Sequence, residues 1–318
     1  MILDIVWLIL GLALIVYGAD WLVDGASSLA RRWGLSEFVI GLTIVGMGTS
    51  APEMVVSVIG AIQGNADVAV GNVIGSNIFN VLLILGITAL ILPIPVTREN
   101  IRRDVPLNLF VTGLLILLGM KLSIFSIGEN LLSRWDGALF LLLFIAYLVF
   151  CFRSGKAEET PSVDAPGRKL WVSLLMVAGG LGALIIGGRL FVDNATDIAR
   201  LLGVSDKFIA VTILAGGTSL PELATCIAAA IKKKGQLALG NVIGSNLFNI
   251  LLILGTSAVI TPLSFQDIDW VDLGVLALSA LYLGTSVIVG RRRVVDRLDG
   301  VLFFLTWVAY MAYLIITL

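Results

Sequence analysis

The 318-residue chain contains no histidine. That absence excludes imidazole-ligated zinc, Ser-His-Asp and Cys-His nucleophilic catalysis, and histidine proton relays. Cysteine is almost missing as well. Cys151 and Cys226 both stand inside apolar runs and read as inert core residues rather than a redox pair or soft-metal ligands. Charge is the third scarcity. Only 14% of residues are Asp, Glu, Lys or Arg, against about 25% in soluble domains. With a net charge of −1 and no basic stretch, no nucleic-acid partner is expected. No nucleophile or cofactor motif is found, so neither an enzyme nor a bound cofactor is expected.

What fills the space is apolar. Hydrophobic residues make up 58% of the chain and the mean hydropathy is +1.03. A protein of this composition cannot hide its surface from water, so its solvent is lipid. Apolar runs of spanning length, roughly 17–25 residues, fall at 3–22, 37–61, 68–92, 105–122, 133–152, 169–190, 206–231, 237–261, 269–290 and 299–317. The first begins with Asp4 and has no basic residues before its apolar core, which predicts a retained span rather than a cleaved signal peptide. The one long polar connection is 153–168, RSGKAEETPSVDAPGR. It divides the chain into a first five-helix unit (1–152), a linker and a second unit (169–318).

Lysine and arginine are distributed unevenly about these spans. The connections after the odd-numbered spans carry Arg31, Arg32, Arg98, Arg102, Arg103, Arg153, Lys156, Arg168, Lys169, Lys232, Lys233, Lys234, Arg291, Arg292, Arg293 and Arg297. The other side carries Lys121, Arg134, Arg189, Arg200 and Lys207. The positive-inside rule then predicts a multi-pass protein of the cell (inner) membrane, both termini outside and the linker cytoplasmic.

The two units repeat each other. A shift of 169 residues superimposes GTSAPE (48–53) on GTSLPE (217–222) without a gap. The same shift carries GNVIGSNIFNVLLILG (71–86) onto GNVIGSNLFNILLILG (240–255), with fourteen of sixteen positions identical. VDGASSLAR (23–31) likewise meets VDNATDIAR (192–200). Five spans per unit is an odd number, so the second unit enters the membrane from the opposite side. The expected fold is therefore all-α: ten transmembrane helices in two inverted-topology repeats of five, with a shared site at the midplane.

The repeated polar residues define that site. Glu53 and Glu222 lie deep in apolar spans, where a charge costs about 2.5–3.5 kcal/mol on insertion scales. No Lys or Arg lies within the second, third or eighth spans, and in the seventh only Lys207, at its very start and far from Glu222 in the chain, which points to a bound cation. Two protonated carboxyls sharing interhelical hydrogen bonds are the alternative. Each glutamate follows a proline, Pro52 or Pro221, which removes a helical N–H. The GMG (46–48) and AGG (215–217) runs before them permit irregular backbone, so the second and seventh helices are expected to be broken there, freeing carbonyls near Gly46 and Ala215. Thr49 and Ser50, and then Thr218 and Ser219, are expected to share a helical face with the following glutamate. Asn72, Ser76 and Asn80, and Asn241, Ser245 and Asn249, form stripes at a spacing of four. Gly71, Gly75, Gly240 and Gly244 read as close-packing faces. Carboxylate, amide, hydroxyl and carbonyl oxygens without sulfur or imidazole suit a hard cation, and flexible mixed coordination suits Ca²⁺ better than Mg²⁺.

The paired GTSAPE…GNVIGSNIFN and GTSLPE…GNVIGSNLFN blocks closely resemble the two alpha-repeats of sodium/calcium exchangers, within the cation/calcium antiporter superfamily, and the likeness covers nearly the whole chain. A large cytoplasmic calcium-sensing region is absent, as in the compact prokaryotic type. The resemblance implies that Glu53 and Glu222 are central carboxylates shared by Ca²⁺ and Na⁺. It implies side-chain oxygens from Thr49, Ser50, Ser76, Thr218, Ser219 and Ser245, backbone oxygens from Gly46 and Ala215, and amide oxygens from Asn80 and Asn249. It also implies antiport of Na⁺ against Ca²⁺ by alternating access, more Na⁺ than Ca²⁺ moving per cycle, with the first and sixth spans sliding across the other eight, in a protein that works as a monomer. Some relatives carry aspartate where this chain has Asn249. The rival readings are an H⁺/Ca²⁺ exchanger of the same superfamily, whose members usually carry a GN-type motif in place of GTS-x-P-E, and a calcium-permeable channel.

The linker contains no site element. Shortening 153–168 by a few residues is expected to leave membrane insertion and transport near normal, measured by ion uptake into proteoliposomes; a large loss in correctly inserted protein would assign the segment a gating role.

Overall fold

The computed structural model describes residues 2–126, 129–154, 169–203, 215–265, 268–289 and 293–317. Most of the sequence-predicted linker and the first part of the predicted seventh span lie outside these residues. The principal helices are α1 (Ile2–Trp33), α2 (Glu37–Thr49), α3 (Ala51–Ile62), α4 (Val68–Ile91), α5 (Val105–Gly119), α6 (Arg134–Arg153), α7 (Leu170–Leu201), α8 (Leu220–Ile231), α9 (Gly235–Ile260), α10 (Trp270–Val289) and α11 (Arg297–Thr317). Seven of them are long and apolar enough to cross a membrane. The pair α2 and α3, bent by 49° at Ser50, makes an eighth when counted as one span. The molecule is a polytopic helical membrane protein.

Burial separates an inner group of helices from an outer one. Of the most apolar stretch of α9, 94% is buried, whereas in α11 only 11% is. The outer helices turn Leu142, Leu175 and Leu305 outward, the pattern of a lipid-facing surface.

The first and sixth predicted spans, 3–22 and 169–190, are too short. Both α1 and α7 run for 32 residues, about 48 Å at 1.5 Å per residue. The apolar run ends near residue 22, but nothing in VDGASSLAR or VDNATDIAR breaks a helix. The ends come instead at Gly34 and Gly203, 169 residues apart, which take φ of +64° and +81°. Such left-handed backbone is the usual glycine stop after a helix.

These two helices pack along much of their length and run antiparallel. A methyl built on Gly11 would lie 2.8 Å from the Gly187 carbonyl, one on Gly18 2.9 Å from the Gly180 carbonyl, and one on Gly25 3.0 Å from the Ser173 carbonyl. Numbers rise on α1 as they fall on α7. Only glycine at these points permits such backbone approach.

Short antiparallel strand pairs link the helix connections. β1 (Ile94–Pro95) pairs with β4 (Val294–Val295), and β2 (Leu131–Leu132) pairs with β3 (Leu263–Ser264). The α4–α5 connection of the first unit therefore lies against the α10–α11 connection of the second. The α5–α6 connection lies against the α9–α10 connection.

Glycine also seats α2 on α9. A methyl on Gly240 would overlap the Phe38 carbonyl, and one on Gly244 the Leu42 carbonyl. For Gly71 and Gly75 no described atom lies within 4 Å of such a methyl. The counterparts of Phe38 and Leu42 fall at 207 and 211, outside the described residues. The expected close packing is thus seen at 240 and 244 and has no described partner at 71 and 75.

Gly244→Val forces α2 and α9 apart and is expected to cost at least about 1–3 kcal/mol, the usual cost of overpacking. Gly182→Ala, with no described atom within 4 Å of its new methyl, should be neutral or mildly stabilising, since alanine is favoured over glycine in helices by roughly 1 kcal/mol. Thermal melts of the purified protein in detergent check both.

Candidate cation site

The helix break generates the site. Ser50 (φ −82°, ψ 11°) separates α2 from α3, and Ser219 (φ −91°, ψ 8°) precedes α8 after a turn at Thr218. Pro52 and Pro221 sit in the first turns of α3 and α8, where a missing N–H costs nothing. Glu53 and Glu222 occupy those same first turns, so the positive end of each helix dipole favours their carboxylates. Both glutamates are 1% exposed.

The break falls a little later than the sequence suggested. Gly46–Thr49 is helical, and the Gly46 carbonyl accepts the Ser50 N–H at 3.1 Å. It is therefore shared rather than freed by helix opening, with the Thr49 and Ser245 hydroxyls each donating to it at 3.4 Å. Ala215 opens the short helix Ala215–Gly217; the residues before it lie outside the described set.

The break also redirects the hydroxyls. The Ser50 hydroxyl donates to Glu222 Oε1 at 2.8 Å, and the Ser219 hydroxyl donates to Glu53 Oε1 at 3.0 Å. Each serine thus serves the carboxylate of the other repeat, and not the glutamate three residues on, because the helical face that would join them is interrupted at the serine itself. Ser76 joins the group through a 3.4 Å contact from the Ser219 hydroxyl. Thr49 donates to Asn241 Oδ1 at 3.3 Å.

On the facing helices, Asn80 and Asn249 are the second residues of two π-helical stretches, Phe79–Leu85 and Phe248–Leu254, again 169 apart. Such wide turns commonly mark functional sites. The Asn80 amide donates to Asn246 Oδ1, and the Asn249 amide to Asn77 Oδ1, each at 3.0 Å. Asn77 and Asn246 were not among the sequence candidates. They lie off the spacing-of-four stripe, and their only signal was their identity within the repeated block. Asn72 of that stripe is turned to α3, donating to the Glu53 carbonyl at 3.3 Å and to Ser57 Oγ at 3.0 Å. Asn241 donates to Cys226 Sγ at 3.2 Å.

Five buried oxygens of this region have no hydrogen-bond partner among the described residues: Glu53 Oε2, Glu222 Oε2, Asn80 Oδ1, Asn249 Oδ1 and Thr218 Oγ1. Four of them are two pairs related by the 169-residue shift. A buried polar atom left unpaired costs about 1–3 kcal/mol, a cost that a ligand shared by these oxygens would offset. The donor set fits a hard cation, having only oxygens and two carboxylates. No Lys or Arg pairs with either glutamate among the described residues. There is no cluster of three or more His, Cys, Asp or Glu in those residues either, so two carboxylates and neutral oxygens would do the work.

A helical membrane protein with paired, unneutralised carboxylates at its buried centre is of the class that carries hard cations. The family description "Sodium/calcium exchanger protein" matches residues 3–153 and again 172–316, and the chain belongs to that family. The putative antiporter CaxA of Alkalimonas amylolytica is 39% identical over 98% of both chains. The sodium/calcium exchanger MaX1 of Methanosarcina acetivorans is 33% identical over 96% of this chain and 97% of its own. A solved structure of the sodium-calcium exchanger NCX_Mj, soaked with 2.5 mM Na⁺ and 0.1 mM Ca²⁺, superimposes with a TM-score of 0.84 at 34% identity, covering 98% of each chain.

A cation that binds only the folded site raises stability by ~2.7 kcal/mol when its free concentration is about 100 times Kd. Added Ca²⁺ is therefore expected to raise the melting temperature of the purified protein. Glu53→Gln and Glu222→Gln should each abolish that rise while the protein stays monodisperse; an undiminished rise in either variant would place the site elsewhere.

Proposed function

We propose that the chain is a secondary antiporter of the cell membrane that exchanges Na⁺ for Ca²⁺ by alternating access, with both termini outside. The observation that carries this reading is the reciprocal pair of buried glutamates, each hydrogen-bonded to the other repeat's serine and each keeping one oxygen without a partner among the described residues. In this reading Glu53, Glu222, Thr49, Ser50, Ser76, Asn80, Thr218, Ser219, Ser245 and Asn249, with the Gly46 and Ala215 carbonyls, hold the transported ions. One Ca²⁺ neutralises the two carboxylates, and Na⁺ competes for the same oxygens.

Ten spans in two inverted repeats are supported by two features of the fold. The corresponding helices α1 and α7 run antiparallel. The strand pairs join connections that occupy different places in their own units. Because the α4–α5 and α5–α6 connections sit at opposite ends of α5, the second unit must be turned over to meet both. The names of MaX1 and NCX_Mj support sodium as the coupling ion, as does the GTS-x-P-E pattern. Asn80 and Asn249 coordinate as neutral amides and add no charge. A potassium ion taken up beside Ca²⁺ would then leave a positive charge uncompensated in low dielectric, which is costly.

The test is ⁴⁵Ca²⁺ uptake into proteoliposomes under imposed Na⁺, K⁺ or H⁺ gradients. Uptake is expected with an outward Na⁺ gradient, unchanged when K⁺ is replaced by choline, and lost in Glu53→Gln and Glu222→Gln. A need for K⁺ or co-transport of ⁸⁶Rb⁺ would overturn the potassium claim, uptake driven by H⁺ alone would overturn the sodium claim, and flux without a counter-gradient would indicate a channel.

A further inference from the structure

We infer that Asn77 and Asn246 are positioning residues that fix which end of the Asn249 and Asn80 amides faces the cation. The inference rests on the proposed site, because it concerns two of its oxygens.

A carboxamide is unsymmetrical. Turned one way it offers an oxygen to a cation; turned the other it offers two N–H donors, which repel one. Nothing in an Asn side chain itself favours either orientation, so a neighbour must choose. Here the chooser is explicit. Asn77 Oδ1 accepts from Asn249 Nδ2 at 3.0 Å, and Asn246 Oδ1 accepts from Asn80 Nδ2 at 3.0 Å. An oxygen in each accepting position holds the NH₂ group of its partner toward itself. The other end, Asn249 Oδ1 or Asn80 Oδ1, is left buried and without a donor among the described residues. All four side chains are at most 3% exposed, so water does not scramble the choice.

The orienting amide is itself held. Asn77 Nδ2 donates to the Asn246 main-chain carbonyl at 3.4 Å, which turns Asn77 Oδ1 toward Asn249. The two orienting bonds connect opposite repeats and are related by the 169-residue shift: 80 pairs with 246, and 249 pairs with 77. Each half of the molecule thus orients one ligand of the other half. The two ligand amides both donate inward, Asn249 to Asn77 and Asn80 to Asn246, so the oxygen left at each outer end is the one available to the cation of the proposed site.

Orientation matters for an amide and not for a carboxylate, whose two oxygens are equivalent. That difference separates positioning from packing. In the wild-type background, Asn77→Ala should raise the KM for ⁴⁵Ca²⁺ about tenfold, the size of one misdirected hydrogen-bonding group, with a smaller change in maximal rate. In the Asn249→Asp background the same Asn77→Ala substitution should change KM by no more than about twofold, since the aspartate presents an oxygen in either rotamer; non-additivity of this kind is what coupling between neighbours predicts. Asn246→Ala, tested in the Asn80 and Asn80→Asp backgrounds, is the two-fold-related second case. An equal KM ratio in both backgrounds would overturn the inference, as would loss of folded protein in both alanine variants, which would assign the amides to helix docking alone. Failure of the proposed function reads differently: wild-type protein would then show no Na⁺-driven ⁴⁵Ca²⁺ uptake in the first place.

Discussion

The structure is organised around two carboxylates that have no counter-charge among the described residues. The chain is capable of supplying one: Asp104, fully buried, is paired to Arg103 at 2.7 Å and to the Tyr147 hydroxyl at 3.0 Å, and Asp136 to Lys121 at 2.5 Å. At Glu53 and Glu222 the described residues supply a serine hydroxyl to one oxygen and no partner to the other. Burying an ion without its partner costs several kcal/mol, so on the proposed reading a bound cation makes these positions tolerable. A fixed Lys or Arg would satisfy the electrostatics permanently and leave no room for an exchangeable ion.

The rest of the core follows from holding those carboxylates. They must face each other across the repeats, so each stands in the first turn of a helix that starts in mid-molecule, with proline just before it. The breaks leave serine hydroxyls free to cross to the other repeat. Beside the crossing, α2 lies against α9 with backbones nearly touching at Phe38 and Leu42, which Gly240 and Gly244 permit.

Much of this was legible in the sequence, because a shift of 169 residues exposes the repeat and the cost of a buried acid singles out the two glutamates. The composition reads directly as lipid-facing helices. What stayed hidden depends on the approach of one repeat to the other. A spacing of three or four predicts neighbours on one unbroken helix, and it failed at Ser50, where the helix stops; the hydroxyl serves Glu222 instead. The same rule favoured the 72-76-80 stripe and passed over Asn77, whose role comes from Asn249 on a distant segment. Apolar runs did not mark where α1 and α7 end, since Gly34 and Gly203 set the ends. The π-helical turns at Phe79–Leu85 and Phe248–Leu254 have no periodic signature at all.

The two repeats match closely at the site and less well at their ends. Lys232 pairs with Asp20 at 2.6 Å and with Asp24 at 2.7 Å, tying the end of α8 to α1. The equivalent positions in the 169-residue shift are Gln63, Arg189 and Asp193, and a glutamine cannot form the corresponding ion pair. On the proposed reading, a molecule with identical halves would present the same oxygens to either side and populate its two open states equally. The apparent affinity from each side is the intrinsic affinity divided among states by population. A shared symmetric site therefore cannot by itself make one side bind more tightly than the other. Partly exposed ion pairs are worth about 0–1 kcal/mol each, enough to shift a two-state population severalfold without touching a ligand. The ends of the helices, where the repeats have diverged, are where such a difference between the two faces has to originate.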